Sequence, residues 1–332
     1  MSETMHVLYG QSGGEFRVGR AGIPVPATEQ VRIRVRAASF NYVDQMLLAG
    51  VYDNVPDGPK GPAPYVAGVE FAGEIDAVGP NVSGVRVGDR VVGMAPGAFA
   101  EYAVARADAV APLPDSIAWT DAAALLIALT ISHDALVNRA GLAAGASVLV
   151  LGGTTGTGAM TVQMAKALGA GTVLTTTRSS DNKDAAVRLG ADHVIATDEE
   201  DLVQAVLDAT DGEGAGVIVD FLGGAILSAA VPAARVGGTI VCLGTVAGSE
   251  TTLSITEIAV RLITIVGTAL DSRPIEERTA IISSVADLLP YVADGRIHPI
   301  IDSIHHFPED ATNAVARLAV ARRAGKVVFE MP

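Results

Sequence analysis

Beyond about residue 145 the chain alternates short β-branched apolar runs with stretches of helical period, the runs being SVLVLG, TVLTTT, DHVIA, GVIVDF, TIVCLG and LITIVG. Near-continuous Val, Ile and Leu within a run means that both faces are buried, as in a parallel sheet covered by helices on both sides. The runs therefore predict six parallel strands of an α/β fold. The first part of the chain reads differently. QVRIRVRAAS, residues 30–39, alternates apolar and polar positions, the mark of a strand with one wet face, and AGEIDAVGPNVSGVRVGDRVVG, residues 72–93, breaks short strands with Gly, Pro and Asn turns. This predicts an all-β unit, a small barrel. The Pro- and Gly-rich VYDNVPDGPKGPAPY, residues 51–65, reads as a surface loop. After about residue 271 one helical pattern, PIEERTAIISSVADLLPYVADG, precedes a strand-like KVVFEM, so the end of the chain is expected to return to the first domain.

Composition narrows the function more than the fold. The 332 residues are 49% apolar and 18% charged, enough to bury a full core in one large or two ordinary domains. The net charge of -14 opposes unspecific attraction to nucleic acid or anionic lipid, and neither partner is expected. A single cysteine, Cys242, allows no intrachain disulfide and no multi-cysteine zinc site, and it fits a reducing, cytoplasmic setting. The N-terminal MSETMHVLYG lacks the order of a signal peptide, and the longest uncharged apolar run, residues 122–131, is too short to span a bilayer.

The chemistry-bearing stretch is VLVLGGTTGTGAMTVQMAKALGA, residues 148–170. A strand ending at Leu151, glycines at 152, 153, 156 and 158, and a helix expected over about 157–169 form the first βα unit of a doubly wound sheet. Glycine permits the tight turn, lets main-chain N–H groups approach a pyrophosphate, and lets the helix lie close on the strand. The helix N-terminus then faces the phosphates. Gly152, Thr154, Thr155, Gly156, Thr157 and Gly158 are the candidate phosphate contacts. The second strand ends LTTTR with no acid until Asp181. Hydroxyls such as Thr177 followed by the Arg178 guanidinium suit a ribose 2′-phosphate, which favours NADPH over NADH. Arg178 and Lys183 are otherwise read as solvated surface charge.

The order of a β-rich domain, a Rossmann unit and a C-terminal return resembles the medium-chain dehydrogenase/reductase superfamily. GVEFAGEIDAVGPNVSGVRVGDRVVG, GAFAEYAV, GTTGTGAMTVQMAKALGA with RLGADHVI, GVIVDFLGG and RVGGTIVCLG carry the resemblance over nearly the whole chain. It implies a GroES-like β-barrel catalytic domain over 1–121, completed by 271–332, and a Rossmann NADPH-binding domain over 122–270. Zinc-dependent alcohol dehydrogenases of the family place a Cys ahead of an Asp in the first motif and a His just before the Glu in the second. Here those positions hold Asn41 in FNYVD and Val69 in GVEF, so no metal is expected. Asn41 followed by Asp44 is similar to the quinone oxidoreductase branch, whose members reduce quinones or activated alkenes with NADPH between two domains and pair as homodimers through sheet edges. RLITIVGTAL is the apolar edge strand where pairing would occur. Three departures stand out: Thr155 in place of a further glycine with Gly152 in place of an alanine, His133 near a position often aromatic in relatives, and the Pro- and Gly-rich loop.

Hydride transfer needs something to stabilise the charge that arrives on the acceptor. In a quinone or enone that charge spreads onto a conjugated oxygen, so neutral donors suffice where a simple ketone would want zinc. The Asn41 amide is the first candidate donor, or else a turn asparagine bonding its own backbone. Tyr52 is a phenol donor or an aromatic plug. Asp44 orients one of them or caps the following helix. His133 is a proton donor or a packed residue of an apolar helix. The Glu matching Glu70 lies near the metal in the zinc enzymes that the family resemblance brings in; here, with no metal expected, Glu70 bonds backbone. Gly244 with Thr245, and Val266 with Gly267, are placed by position to line the nicotinamide pocket; Arg261 reaches ligand or forms a surface salt bridge. The resulting reading is an NADPH-dependent, zinc-independent oxidoreductase of quinones or α,β-unsaturated carbonyls. Its rivals are a zinc-free reductase of enoyl thioesters and a non-catalytic NADPH-binding sensor.

Overall fold

The apolar runs beyond residue 145 become parallel strands at Ser147–Leu151, Thr172–Thr177, His193–Ala196, Ala215–Asp220, Ala234–Cys242 and Thr264–Gly267. The computed structural model describes residues 3–11, 13–50, 64–270, 273–319 and 325–332. It divides into two units, Met1–Ile127 with Asp271–Pro332, and Ala128–Leu270.

In the second unit the six strands pair in parallel, with Ser147–Leu151 and Ala215–Asp220 side by side at the centre and His193–Ala196 and Thr264–Gly267 at the edges. Val148 to Leu151 are fully buried, as the unbroken apolar run requires. The chain winds outward from Ser147–Leu151 in one direction and then from Ala215–Asp220 in the other. Ligands of such sheets bind at this reversal, beyond the carboxyl ends of the strands. The edge strand Thr264–Gly267 is less covered: Leu262 and Ile265 are exposed, as are Ile255 and Val260 on the preceding helix Ile255–Val260.

In the first unit the alternating segment forms the strand Gln30–Ser39, with Val31, Ile33, Val35 and Ala37 turned inward. It pairs antiparallel with Glu70–Val78, Tyr102–Arg106 and, from the far end of the chain, Lys326–Glu330. The core beneath holds Phe40, Phe99, Phe307 and Phe329, with ring centroids 4.4–5.4 Å apart. Phe40 in this cluster anchors the residue that follows it, Asn41. A second sheet joins Thr4–Gly10 to Arg17–Gly22 and Tyr65–Val66.

The C-terminal part departs from the expected single helical pattern. Helices Ile275–Ser284 and Leu289–Ala293 are separate, with Pro290 opening the second, where its missing N–H cannot continue the first. A strand at Ile301–His306 and a helix at Ala311–Leu318 follow, neither anticipated. The strand IDSIHH lies at a sheet edge with no fully buried position, so it lacks the apolar run that marked the others.

Candidate active site

The glycine turn of the second unit is built by its own side chains. Gly152 takes a φ of 89°, a conformation that glycine adopts at little cost. A Cβ on Gly153 would overlap the Thr175 hydroxyl, and one on Gly158 would overlap the Gly152 carbonyl oxygen. Both glycines are therefore required by close approach. Thr155, the departure noted in the sequence, is the N-cap of helix Gly156–Ala167: its hydroxyl accepts from Gly158 N–H at 3.0 Å and donates to Gly152 C=O at 2.9 Å. The substitution thus reinforces the turn. Gly156 and Thr157 open the helix, where main-chain N–H groups have no intrahelical acceptor and face the carboxyl edge of the sheet. Thr154 to Thr157 are partly exposed. This cradle fits a pyrophosphate.

The threonines of the second strand do less for a ligand than their sequence suggests. Thr175 donates to Val150 C=O at 2.8 Å, Thr176 accepts from Gly152 N–H at 3.0 Å, and Thr177 donates to Ser179 C=O at 2.8 Å. Thr177 is a correction: its proton shapes the turn and is not free for a phosphate. Lys183 is likewise drawn away, 2.6 Å from Glu200, whose carboxyl it holds below the usual range. Arg178 remains exposed beyond the strand end.

The loops after the later strands converge on the same edge. Gly244 packs against Phe221 so tightly that a Cβ would overlap its carbonyl oxygen. Asp220, buried at the end of its strand, accepts from Leu222 and Gly223 N–H at 2.9 and 3.0 Å and shapes the loop that bridges to Gly248 beside Thr245. Burial pushes the Asp220 carboxyl up, and together they push up the thiol of half-buried Cys242. Sequence reasoning missed Asp220, although a lone acid closing an apolar strand was the signal. His133 ends helix Leu126–His133 half-buried, and the chain continues into a π-helical turn, Asp134–Arg139. Asp134 accepts from Thr268 Oγ1 at 2.5 Å, which ties that turn to the residue just past Val266 and Gly267. Arg261 is partly buried and donates to Ala234 C=O at 3.1 Å.

In the first unit Ser39, Asn41, Asp44, Glu70 and Lys326 meet. Glu70 is fully buried: Oε1 accepts from Ile127 N–H at 2.8 Å, and Oε2 accepts from Lys326 Nζ at 2.6 Å, Asn41 Nδ2 at 2.8 Å and Ser39 Oγ at 3.1 Å. Asn41 Nδ2 also donates to Ser39 C=O at 3.2 Å. Both hydrogens of the Asn41 amide are thus engaged internally, which withdraws the donor role given to it from sequence. Asp44 lies in the first turn of helix Tyr42–Leu48 and accepts from Asn41 N–H at 2.8 Å. The N-cap is Asn41, and Asp44 at the third helical position reaches back to its N–H rather than capping a following helix; it is buried, and burial pushes its carboxyl up to about 7 against the opposing pull of the Asn41 and Gly68 N–H groups and Lys326. Tyr52 lies outside the described residues.

This donor set does not fit zinc. Asn41 turns its NH2 toward the carboxylate, Val69 offers only a main-chain carbonyl that Ala95 N–H already engages, and Glu70 faces an ammonium. Among the described residues no group of three or more His, Cys, Asp and Glu is placed to hold a metal ion.

Comparisons with known proteins cover both parts of the chain. Residues 27–115 match the model of the alcohol dehydrogenase GroES-like domain, and residues 156–286 match that of the zinc-binding dehydrogenase. The chain is similar to a phenolphthiocerol/phthiocerol polyketide synthase polypeptide of Mycobacterium tuberculosis, 30% identical over 92% of this chain but only 14% of that protein's length. It is also similar to the quinone oxidoreductase of Mus musculus, 34% identical over 67% of this chain and 66% of the mouse one. The solved structure of a mycobacterial quinone oxidoreductase superposes with a TM-score of 0.87, at 25% identity, over 98% of this chain and 99% of that one.

Proposed function

Because the chain belongs to the medium-chain dehydrogenase/reductase superfamily, in its quinone oxidoreductase branch, we propose that it reduces quinones or α,β-unsaturated carbonyls with NADPH and without a metal. The observation that carries the reading is the Gly152–Gly158 turn, whose capped helix start and obligatory glycines make a phosphate cradle at the reversal of the parallel sheet. The nicotinamide, when bound, supplies the hydride. The protein's part is to hold it. The turn takes the pyrophosphate, Arg178 takes the 2′-phosphate, and the loops carrying Gly244, Thr245, Val266 and Gly267 flank the ring. Asp44, holding a proton up to about neutral pH, keeps an acid inside the first unit. A conjugated acceptor needs no cation, which accords with a site that carries its own ammonium. The apolar edge Leu262–Ile265 supports pairing of two copies, an idea that a monomeric mass in solution would remove.

A second reading, reduction of enoyl thioesters, is favoured by the likeness to a polyketide synthase over 92% of the chain. NADPH oxidation followed by absorbance with naphthoquinone, an enone and a crotonyl thioester decides between them. The first two are expected to turn over, chelator having no effect. Preference for the thioester would select the second reading, and saturable binding without turnover would leave a sensor. In the same titrations Arg178→Ala is expected to raise the NADPH dissociation constant about 10- to 100-fold and that of NADH less than about threefold. An equal effect on both nucleotides would refute the 2′-phosphate contact.

A further inference from the structure

A buried ammonium sits in the first unit where the mechanism so far gives it no task. Lys326 opens the strand Lys326–Glu330, with 8% of its side chain exposed, and the strand's pairing with Gln30–Ser39 sets Val328, two residues on, opposite Ser39. Its Nζ donates to Glu70 Oε2 at 2.6 Å and to Ser39 Oγ at 3.3 Å. The same carboxylate receives Asn41 Nδ2 at 2.8 Å, and Ser39 C=O takes the other amide hydrogen. The orientation of that amide is not free. An oxygen in place of Nδ2 would lie 2.8 Å from a carboxylate oxygen and repel it, so the NH2 must point inward while Glu70 is charged. Glu70 carries its charge inside the protein only because a cation is tethered next to it.

We propose that Lys326 is a positioning residue: as the built-in counter-ion of Glu70 it locks the Asn41 amide with both hydrogens inward, so that Asn41 offers a ligand only its carbonyl oxygen. The ligand group met there is then a hydrogen-bond donor, a hydroxyl or a carboxamide, and not the carbonyl of the acceptor. The kinetic part of the inference rests on the chain being a nicotinamide-dependent reductase; the structural part does not.

The test is hydrogen exchange of the Asn41 side-chain amide in full-length protein labelled with 15N-asparagine, its signal assigned by loss in Asn41→Ala. In the wild type the pair is expected to exchange at least about tenfold more slowly than a solvated asparagine amide. In Lys326→Met the protection is expected to vanish. Should that variant not fold, Glu70→Gln/Lys326→Met removes both charges together, a change that buried ion pairs tolerate. The glutamine then at position 70 has a single acceptor oxygen for both Ile127 N–H and Asn41, so protection is again lost although thermal stability recovers. In that double variant turnover with saturating NADPH is expected to fall about 10- to 100-fold. A merely structural pair would return turnover along with stability. Fast exchange in the wild type, or unchanged protection and turnover in the double variant, overturns the proposal. A wild type that protects Asn41 but ignores nucleotides would instead sink the reductase reading alone.

Discussion

Gly158→Ala is expected to remove nucleotide binding while leaving most of the fold standing. A methyl group at 158 would overlap the Gly152 carbonyl oxygen and crowd the Thr155 hydroxyl, and both belong to the frame of the phosphate cradle. Neither is a flexible chain end that can move aside. Relief must come from opening the turn, which breaks the Thr155 cap at 3.0 Å and swings the first N–H groups of helix Gly156–Ala167 off their common focus. Overpacking of this kind costs about 1–3 kcal/mol in stability. The larger effect falls on the ligand: the NADPH dissociation constant is expected to rise about 100-fold or more, since a phosphate held by converging N–H groups tolerates little displacement. Gly22→Ala serves as the comparison, because a Cβ there meets nothing within 4 Å. Fluorescence titration with NADPH reads the outcome. Wild-type affinity in Gly158→Ala would mean that phosphates bind elsewhere.

The second large effect is on stability as a function of pH. Burial lifts the Asp44 carboxyl to about 7 from a reference value of 3.8. Between those values the folded chain holds a proton that the unfolded chain has released. Stability contributed at this site is therefore full below about pH 4, declines as pH rises toward 7, and is level above. The integrated loss is on the order of a few kcal/mol. Asp44→Asn stays neutral throughout and keeps a carbonyl acceptor for Asn41 N–H, so its unfolding free energy lacks this decline. Denaturant curves at intervals from pH 4 to pH 8 are expected to show the variant gaining on the wild type across the window. Parallel curves would mean that Asp44 is ionised in the folded protein well below neutrality.

Asp44 and Gly158 also mark what a sequence discloses. The six parallel strands were legible because a strand buried on both faces must be apolar at every position, as Val148 to Leu151 are. The glycine turn was legible for a related reason, since few residues fit where backbone meets backbone. The charged cluster of the first unit was not. Glu70 and Lys326 lie 256 positions apart, and nothing local to KVVFE announces that its lysine points inward. Only the pairing of Lys326–Glu330 with Gln30–Ser39 brings them together. Hydroxyl roles were misjudged in the same way: Thr177 looked free in LTTTR, yet its proton goes to Ser179 C=O two residues on. Side-chain type reveals what a residue is able to bond, and tertiary pairing decides what it does bond.

The strand Lys326–Glu330 also fixes an order of events in the cell. Residues 128–270 form one uninterrupted stretch, whereas the unit around Glu70 is assembled from both sides of it. As the polypeptide leaves the ribosome, the nucleotide-binding half is complete while Glu70 and Asp44 still await their cation. The barrel half therefore closes only once residue 326 has emerged behind the complete stretch 128–270, and a nascent chain stalled before residue 326 has two carboxyl groups in search of an interior that still lacks its cation.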